Sequence, residues 1–321
     1  MTNTAGSVSV RIAVLSGGVG GAKFAAGLYS ALPPGELAVI VNTADDFDHL
    51  GLRICPDLDS MLYGLADIHD TERGWGRRDE SWNCLQTLSE LGAQDWFALG
   101  DRDLAVHLVR SDRLRQGQSL TEVTAGFTRA YGIQSTILPM TESSVETILI
   151  TAEGELSMQD YFVRRRCAPR VQALHYKGAE VAEFHPRAQA ILQSSELRAI
   201  FIAPSNPFLS IDPILTLPGV RSLLRKASVP VVAISPLIGG KSLKGPLSDM
   251  LTSMGLGSTT RAIAQHYDGL IDALVLDASD AGDADDIRLP ILATPTRMSN
   301  HETSRGLARA ALTFLEQLGH G

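Results

Sequence analysis

RIAVLSGGVGGAKFAAGLYSALPPGELAVIV, residues 11–41, decides the fold. Arg11–Ser16 is a short apolar run that reads as a buried strand, and glycines follow it. Ala22–Leu32 has a helical pattern, and Leu37–Val41 is a second buried strand. Strand, glycine turn, helix and strand in about thirty residues mark a βαβ unit with a parallel sheet. Similar apolar runs recur at Arg198–Ala203, Pro230–Ser235, Gly269–Leu276 and Pro290–Ala293. Helical stretches at Ser258–His266 and His301–Leu318 lie among them. The expected fold is α/β, a doubly wound Rossmann-like sheet, mostly parallel.

The middle of the chain differs. Ala66–Gln134 is mostly helical and charged, and Thr147–Ala182 breaks into short alternating segments such as Thr147–Thr151 and Asp160–Arg165. The expected organisation is one α/β domain over residues 1–321. Its core takes about 10–65 and 190–321, and a helical and small β insertion takes about 66–185. Asp277–Asp286, acidic and rich in glycine and alanine, reads as a solvated loop.

Composition narrows the function classes. A chain of 321 residues with 44% apolar residues can bury a sizeable core. Its net charge of −8 and 6% aromatic content argue against nucleic acid or anionic lipid as a partner. Cys55, Cys84 and Cys167 are far apart, with no CxxC spacing, and read as free thiols of a reducing cytosol. Met1–Val10 carries no apolar signal region, and no run approaches the roughly 18 apolar residues of a membrane span. A cytoplasmic protein is expected.

Several motifs carry chemistry. Ser16–Lys23 (SGGVGGAK) approaches two known phosphate motifs and completes neither. Lys23 stands where a dinucleotide fingerprint has its third glycine. Ala22 and Phe24 stand where a P-loop has glycine and Ser/Thr. Clustered glycines at a helix N-terminus still suit an anion, which makes Gly18, Gly20, Gly21 and Lys23 candidate phosphate contacts. Asn42-Thr-Ala-Asp45-Asp46 follows the second strand, and Cys55-Pro-Asp57-Leu-Asp59 comes soon after. Asp57 is placed to cap a helix. Carboxylates crowded at one strand edge repel unless a cation joins them, which points to Mg²⁺ on at least one of Asp45, Asp46 and Asp59. Arg73–Trp82 (RGWGRRDESW) offers flat aromatic surface and charge, the Gly100-Asp101-Arg102-Asp103 turn opens a helix, and Pro204-Ser205-Asn206-Pro207 and Gly239-Gly240-Lys241 follow later strands. An ordinary turn or cap explains each of these four about as well as a site does. Glycines alone also invite an NAD-dependent oxidoreductase. Lys23 and Asn42, the latter where a ribose-binding acid belongs, weigh against it.

Six blocks occur in order: SGGVGGAK, VNTADDFDHLGLRICPDLDSMLYGLAD, RGWGRRDESW, WFALGDRDLAVHLVR, APSNPFLSIDPIL and SPLIGGKSLKGP. Together they resemble the 2-phospho-L-lactate transferase family (CofD, also called FbiA). The resemblance implies a Mg²⁺-dependent phosphotransferase of coenzyme F-420 biosynthesis, typically a homodimer. Such an enzyme moves a phospho-three-carbon-acid group from a guanosine diphosphate donor to the ribityl hydroxyl of the deazaflavin Fo and releases GMP. A guanylyltransferase supplies the donor. On this resemblance Gly18, Gly20, Gly21 and Lys23 contact the diphosphate, and the loop at Ser205 and Asn206 holds the guanine side. Gly240 and Lys241 join the donor contacts. Asp46 and Asp59 hold the metal, with Asp45 or Asp46 as base. Asp57, Trp75, Arg78, Asp79, Trp82 and Asp101 line the deazaflavin side. The main rival is a nucleotide-sugar-binding regulatory relative of the same fold.

Overall fold

The computed structural model describes residues 9–243 and 245–318. Lys244, part of the last sequence block, and residues 1–8 lie outside them. The strands in chain order are β1 (Ile12–Ser16), β2 (Leu37–Val41), β3 (Phe47–His49), β4 (Leu52–Ile54), β5 (Thr136–Pro139), β6 (Glu146–Thr151), β7 (Gly154–Ser157), β8 (Val171–Lys177), β9 (Ala199–Ile202), β10 (Val231–Ile234), β11 (Leu237–Ile238), β12 (Lys241–Ser242), β13 (Ala273–Asp277) and β14 (Ile291–Thr294). Seven form the central sheet in the order β14-β13-β10-β9-β1-β2-β5, and every pairing is parallel. The Rossmann-like α/β expectation holds.

Strand alternation builds a core on each face. Ala13 and Leu15 of β1 point into one apolar cluster, which also takes Ile200, Ile202 and Ile214. Ile12 and Val14 point into the other, against Phe24 and Leu28 of α1 (Gly18–Ala31) and Met61 and Leu62 of α2 (Pro56–Leu65). The helix His301–Leu318 seals that second face with Leu307, Ala308 and Ala311. A sheet covered on both sides explains why its strands are apolar throughout.

The chain runs outward from β1 to β2 and β5, then returns to lay β9 on the other side of β1. The reversal creates a switch point between β1 and β9. In open α/β sheets, ligands bind outside the carboxyl ends of the strands at such a point.

Four expectations need correction. The helix after β1 starts at Gly18, not Ala22, so the glycines form its first turn. The span expected as insertion supplies a strand of the central sheet, β5. Asp160–Arg164 is a short π-helical turn, whereas β6, β7 and β8 do form a small antiparallel sheet. Residues Ala278–Ala284 form a 3₁₀ helix, and Asp277 and Asp280 beside and within it are buried. Among the described residues no helix is long and apolar enough to cross a membrane.

Candidate active site

The loops after β1 and β9 lock together at the switch point. The Ser205 hydroxyl donates to the Gly17 carbonyl (2.7 Å) and accepts the Gly17 amide (3.3 Å). A Cβ on Gly20 would lie 2.7 Å from the Pro204 carbonyl oxygen, so the loops touch backbone to backbone and only glycine fits. Gly18 adopts φ +64°, and its amide donates to Asp57 (2.7 Å). The glycines expected to admit a diphosphate are therefore required first by this packing. By helix geometry the amides of Val19 and Gly20 also lack an intrahelical acceptor, so the first turn keeps donors for an anion. Asn206 accepts the amides of Phe208 and Leu209 and caps the turn after β9.

Gly240 and Lys241 behave differently. Both Gly239 and Gly240 amides donate to the Asp280 carboxylate, at 3.0 and 2.7 Å, in the β11–β12 turn. Lys241 is exposed. The protein's own carboxylate therefore takes the two glycine amides of the turn, and the Lys241 side chain is left facing solvent.

The carboxylates after β2 divide into two kinds. Asp57 accepts from Gly18 and from the Asn42 side chain (2.9 Å), while Asn42 also donates to the Leu209 carbonyl and accepts the Ala44 amide. Asp57 and Asn42 thus tie β2, α1, α2 and the β9 loop together. Asp59 accepts both terminal nitrogens of Arg110, which is only 1% exposed. Asp45 and Asp46 are equally buried, yet Oδ1 of Asp45 and both carboxylate oxygens of Asp46 have no hydrogen-bond partner. The Arg53 guanidinium stands 3.9 Å from Asp46. Burial, then the like charges of Asp57 and Asp46, hold the Asp45 carboxyl well above the usual range. Burial pushes Asp46 up to about 7 and Asp57 to about 6.

Three buried carboxylate oxygens without a partner fit a divalent cation. Among the described residues no three His, Cys, Asp or Glu side chains form a complete metal cage. That suits Mg²⁺, which keeps waters and substrate oxygens and needs only one or two carboxylates. The fit favours the adjacent pair Asp45 and Asp46. Asp59, expected as the second ligand, has both oxygens turned to Arg110.

Arg110 is a residue the motifs did not single out. On α4, the helix Asp101–Arg115, the side chains of Asp103, His107 and Arg110 recur at helical spacing along one buried stripe. Tyr63 of α2 donates to Asp103 (2.5 Å), and His107 Nδ1 stands 3.6 Å from Asp59. A polar stripe at helix period was the available signal.

The tryptophan block also divides. Trp75 is 46% exposed and lines a shallow, open cleft with Val19, Lys23, Ser60, Tyr63 and His69. Two motifs far apart in sequence therefore share one cleft beside the first turn of α1. Lys23 Nζ donates to the Met298 carbonyl (3.0 Å) on its wall. Trp82 is occupied by the Arg73 guanidinium 4.5 Å above its ring, and Arg78 pairs with Asp67 at 3.7 Å. Asp79 is exposed, in a left-handed turn. Asp101 accepts from Ser81, Asn83 and Cys84 and so caps α3 (Asn83–Glu90), while Glu80 accepts the Arg102 and Asp103 amides and caps α4. The Ser81 hydroxyl and Cys84 amide hold the Asp101 carboxyl down at about 2. Structural capping accounts for every contact Asp101 makes here.

The model of the family 2-phospho-L-lactate transferase CofD matches residues 12–288. This chain belongs to the CofD family. A phosphoenolpyruvate transferase from Streptomyces griseus subsp. griseus is 37% identical over 318 residues, covering 96% of this chain and 99% of the relative. A 2-phospho-L-lactate transferase from Methanosarcina mazei is 38% identical over 270 residues, covering 84% and 88%. A solved UPF0052-family protein from Bacillus halodurans superposes with a TM-score of 0.64 at 13% identity, over 96% of this chain and 100% of that one, which shows the shared fold. The CofD-family assignment makes the protein a transferase. It sets aside the oxidoreductase reading that the glycine turn alone invites.

Proposed function

We propose that this CofD-family protein transfers a phospho-three-carbon-acid group from a guanosine diphosphate donor to the ribityl hydroxyl of the deazaflavin Fo, in coenzyme F-420 biosynthesis. The relatives named for phosphoenolpyruvate and 2-phospho-L-lactate support the phospho-acid class. The observation that carries the reading is the buried Asp45–Asp46 pair with unpartnered oxygens at the carboxyl end of β2, beside the first turn of α1.

The donor diphosphate lies against the Val19 and Gly20 amides, with Lys23 at the wall of the same cleft. The acceptor hydroxyl oxygen attacks the phosphorus that bears the acid. The bond from that phosphorus to the bridging oxygen breaks, and GMP leaves with the electron pair. The hydroxyl proton passes to the Asp45 carboxylate, whose Oδ1 has no hydrogen-bond partner in the folded chain. Bound at Asp46, Mg²⁺ would neutralise the negative charge of the diphosphate. Expected partners are the two substrates and a guanylyltransferase that supplies the donor, with a homodimer as the assembly.

The test is Asp46→Asn, which keeps shape and removes charge. With Fo, GTP, each three-carbon acid and a guanylyltransferase, we expect at least about a hundredfold loss of F-420 precursor formed. Unchanged turnover in a folded variant would remove the carboxylate pair from the mechanism.

A further inference from the structure

We propose that Arg53 is a tethered counter-ion of the carboxylate pair: its guanidinium neutralises Asp46 before Mg²⁺ binds and swings onto Asp48 when the metal takes its place. The inference rests on the metal role proposed above for Asp46.

Arg53 and Asp48 stand directly opposite in the antiparallel β3–β4 hairpin, so their side chains share one face. The guanidinium lies between two carboxylates in opposite surroundings. Nη2 is 3.9 Å from Asp46, whose side chain is 1% exposed, and Nη1 is 3.6 Å from Asp48, whose side chain is 74% exposed. Both separations are short enough for charge attraction and too long for a good hydrogen bond, so neither pairing locks the side chain. Arg110, whose charge also reaches Asp46, donates both terminal nitrogens to Asp59 and has no such freedom.

The backbone of Arg53 is held in place. Its amide donates to the Ser111 hydroxyl of α4 at 2.7 Å, and its carbonyl accepts from Arg110 at 3.3 Å. Only the side chain can answer a change of charge at Asp46. A divalent cation on that carboxylate repels the guanidinium beside it, whereas Asp48, facing solvent, attracts it. The move is short, because Nη1 already reaches Asp48. Arg53 therefore offsets the cost of burying the Asp46 charge, and Mg²⁺ has to compete with a cation that the chain itself supplies.

Arg53→Met and Asp48→Asn, singly and together, test the inference by calorimetric titration with Mg²⁺ at one neutral pH and without substrates, with Asp46→Asn as the control. Arg53→Met should tighten Mg²⁺ binding about tenfold, because the competing cation is gone. Asp48→Asn should weaken it about threefold, because the displaced guanidinium loses its outer partner. In the Arg53→Met background, Asp48→Asn should have no further effect. Charge acting only at long range would give two independent changes that add, so additivity in the double variant would overturn the swing. Thermal unfolding checks that each variant is folded; Asp48 lies at the surface, and an unchanged Mg²⁺ affinity in Asp48→Asn overturns the inference even where Arg53→Met does not fold. Asp46→Asn protein that binds Mg²⁺ as wild type does would overturn the metal assignment, and this inference with it. Loss of Mg²⁺ binding in Asp46→Asn with unchanged affinity in Arg53→Met would overturn the role of Arg53 alone.

Discussion

Arg110→Met isolates the contribution of the buried network beneath the carboxylate pair. The Arg110 side chain is 1% exposed and binds both oxygens of Asp59, whose own side chain is 6% exposed. It also donates to the Arg53 carbonyl at 3.3 Å and lies 5.7 Å from the Phe127 ring centroid. Methionine replaces its bulk but takes the guanidinium from Asp59, leaving the buried carboxylate only the His107 ring, 3.6 Å away, as a basic neighbour. Breaking one side of a buried pair costs roughly 3–5 kcal/mol. For a chain of 321 residues that is a fall in Tm of roughly 4–7 °C. Removing both partners should behave differently, because apolar replacement of a whole buried pair is commonly neutral or stabilising. Arg110→Met/Asp59→Leu should therefore recover most of the loss. Urea and thermal unfolding of the two single variants and the double variant complete the cycle. A loss under about 1 kcal/mol in Arg110→Met, or a double variant as unstable as the single, would refute the reading of Arg110 and Asp59 as a mutually dependent pair.

Gly20→Ala should cost about 1–3 kcal/mol and loosen the switch-point loops, because its Cβ meets the Pro204 carbonyl at 2.7 Å; chemical denaturation reads it. Metal-free protein should lose stability as pH rises from about 4 to 7. Asp46 binds its proton more tightly folded, near 7, than unfolded, so the unfolded state sheds its proton first. Mg²⁺ should accordingly raise Tm more at pH 8 than at pH 5.5, and an equal rise at both would remove Asp46 as the ligand. Asp101→Asn should lower Tm through the lost α3 cap while leaving KM for Fo unchanged in steady-state assays, since its contacts are all with Ser81, Asn83 and Cys84.

The sheet was legible because a strand buried on both faces leaves an uninterrupted apolar run, as β1, β2, β9 and β10 do. β5 escaped because it is a four-residue edge strand ending in Pro139, which only an edge tolerates, set in a charged, helical region. The β3–β4 hairpin escaped for a different reason. Its two-residue turn places Leu50 and Gly51 at φ 51° and 75°, the geometry for which Asn-Gly is the usual signal, and leucine gives none. Without that hairpin, Asp48 and Arg53 could not be placed opposite one another. Arg110 was hidden by the ordinary expectation that arginine is exposed. The role of Gly20 was hidden because its partner, Pro204, lies far along the chain.

Asp57 and Asp46 differ in what the fold does with them. Both follow β2, and both are nearly inaccessible, at 6% and 7% exposure. Asp57 is fully used: one oxygen takes the Gly18 amide, the other the Asn42 side chain. Asp46 takes no nitrogen or oxygen donor; its neighbours are the Cys55 thiol, a weak donor, and a guanidinium 3.9 Å away. A buried carboxylate left unsatisfied destabilises the fold, so packing alone gives no reason for it. Leucine at position 46 would bury no unpaired polar group. In the proposed reaction the unsatisfied oxygens are the groups that would take a cation and a proton when the substrates bind. Asp57 holds the switch point in shape; Asp45 and Asp46 are what that shape presents.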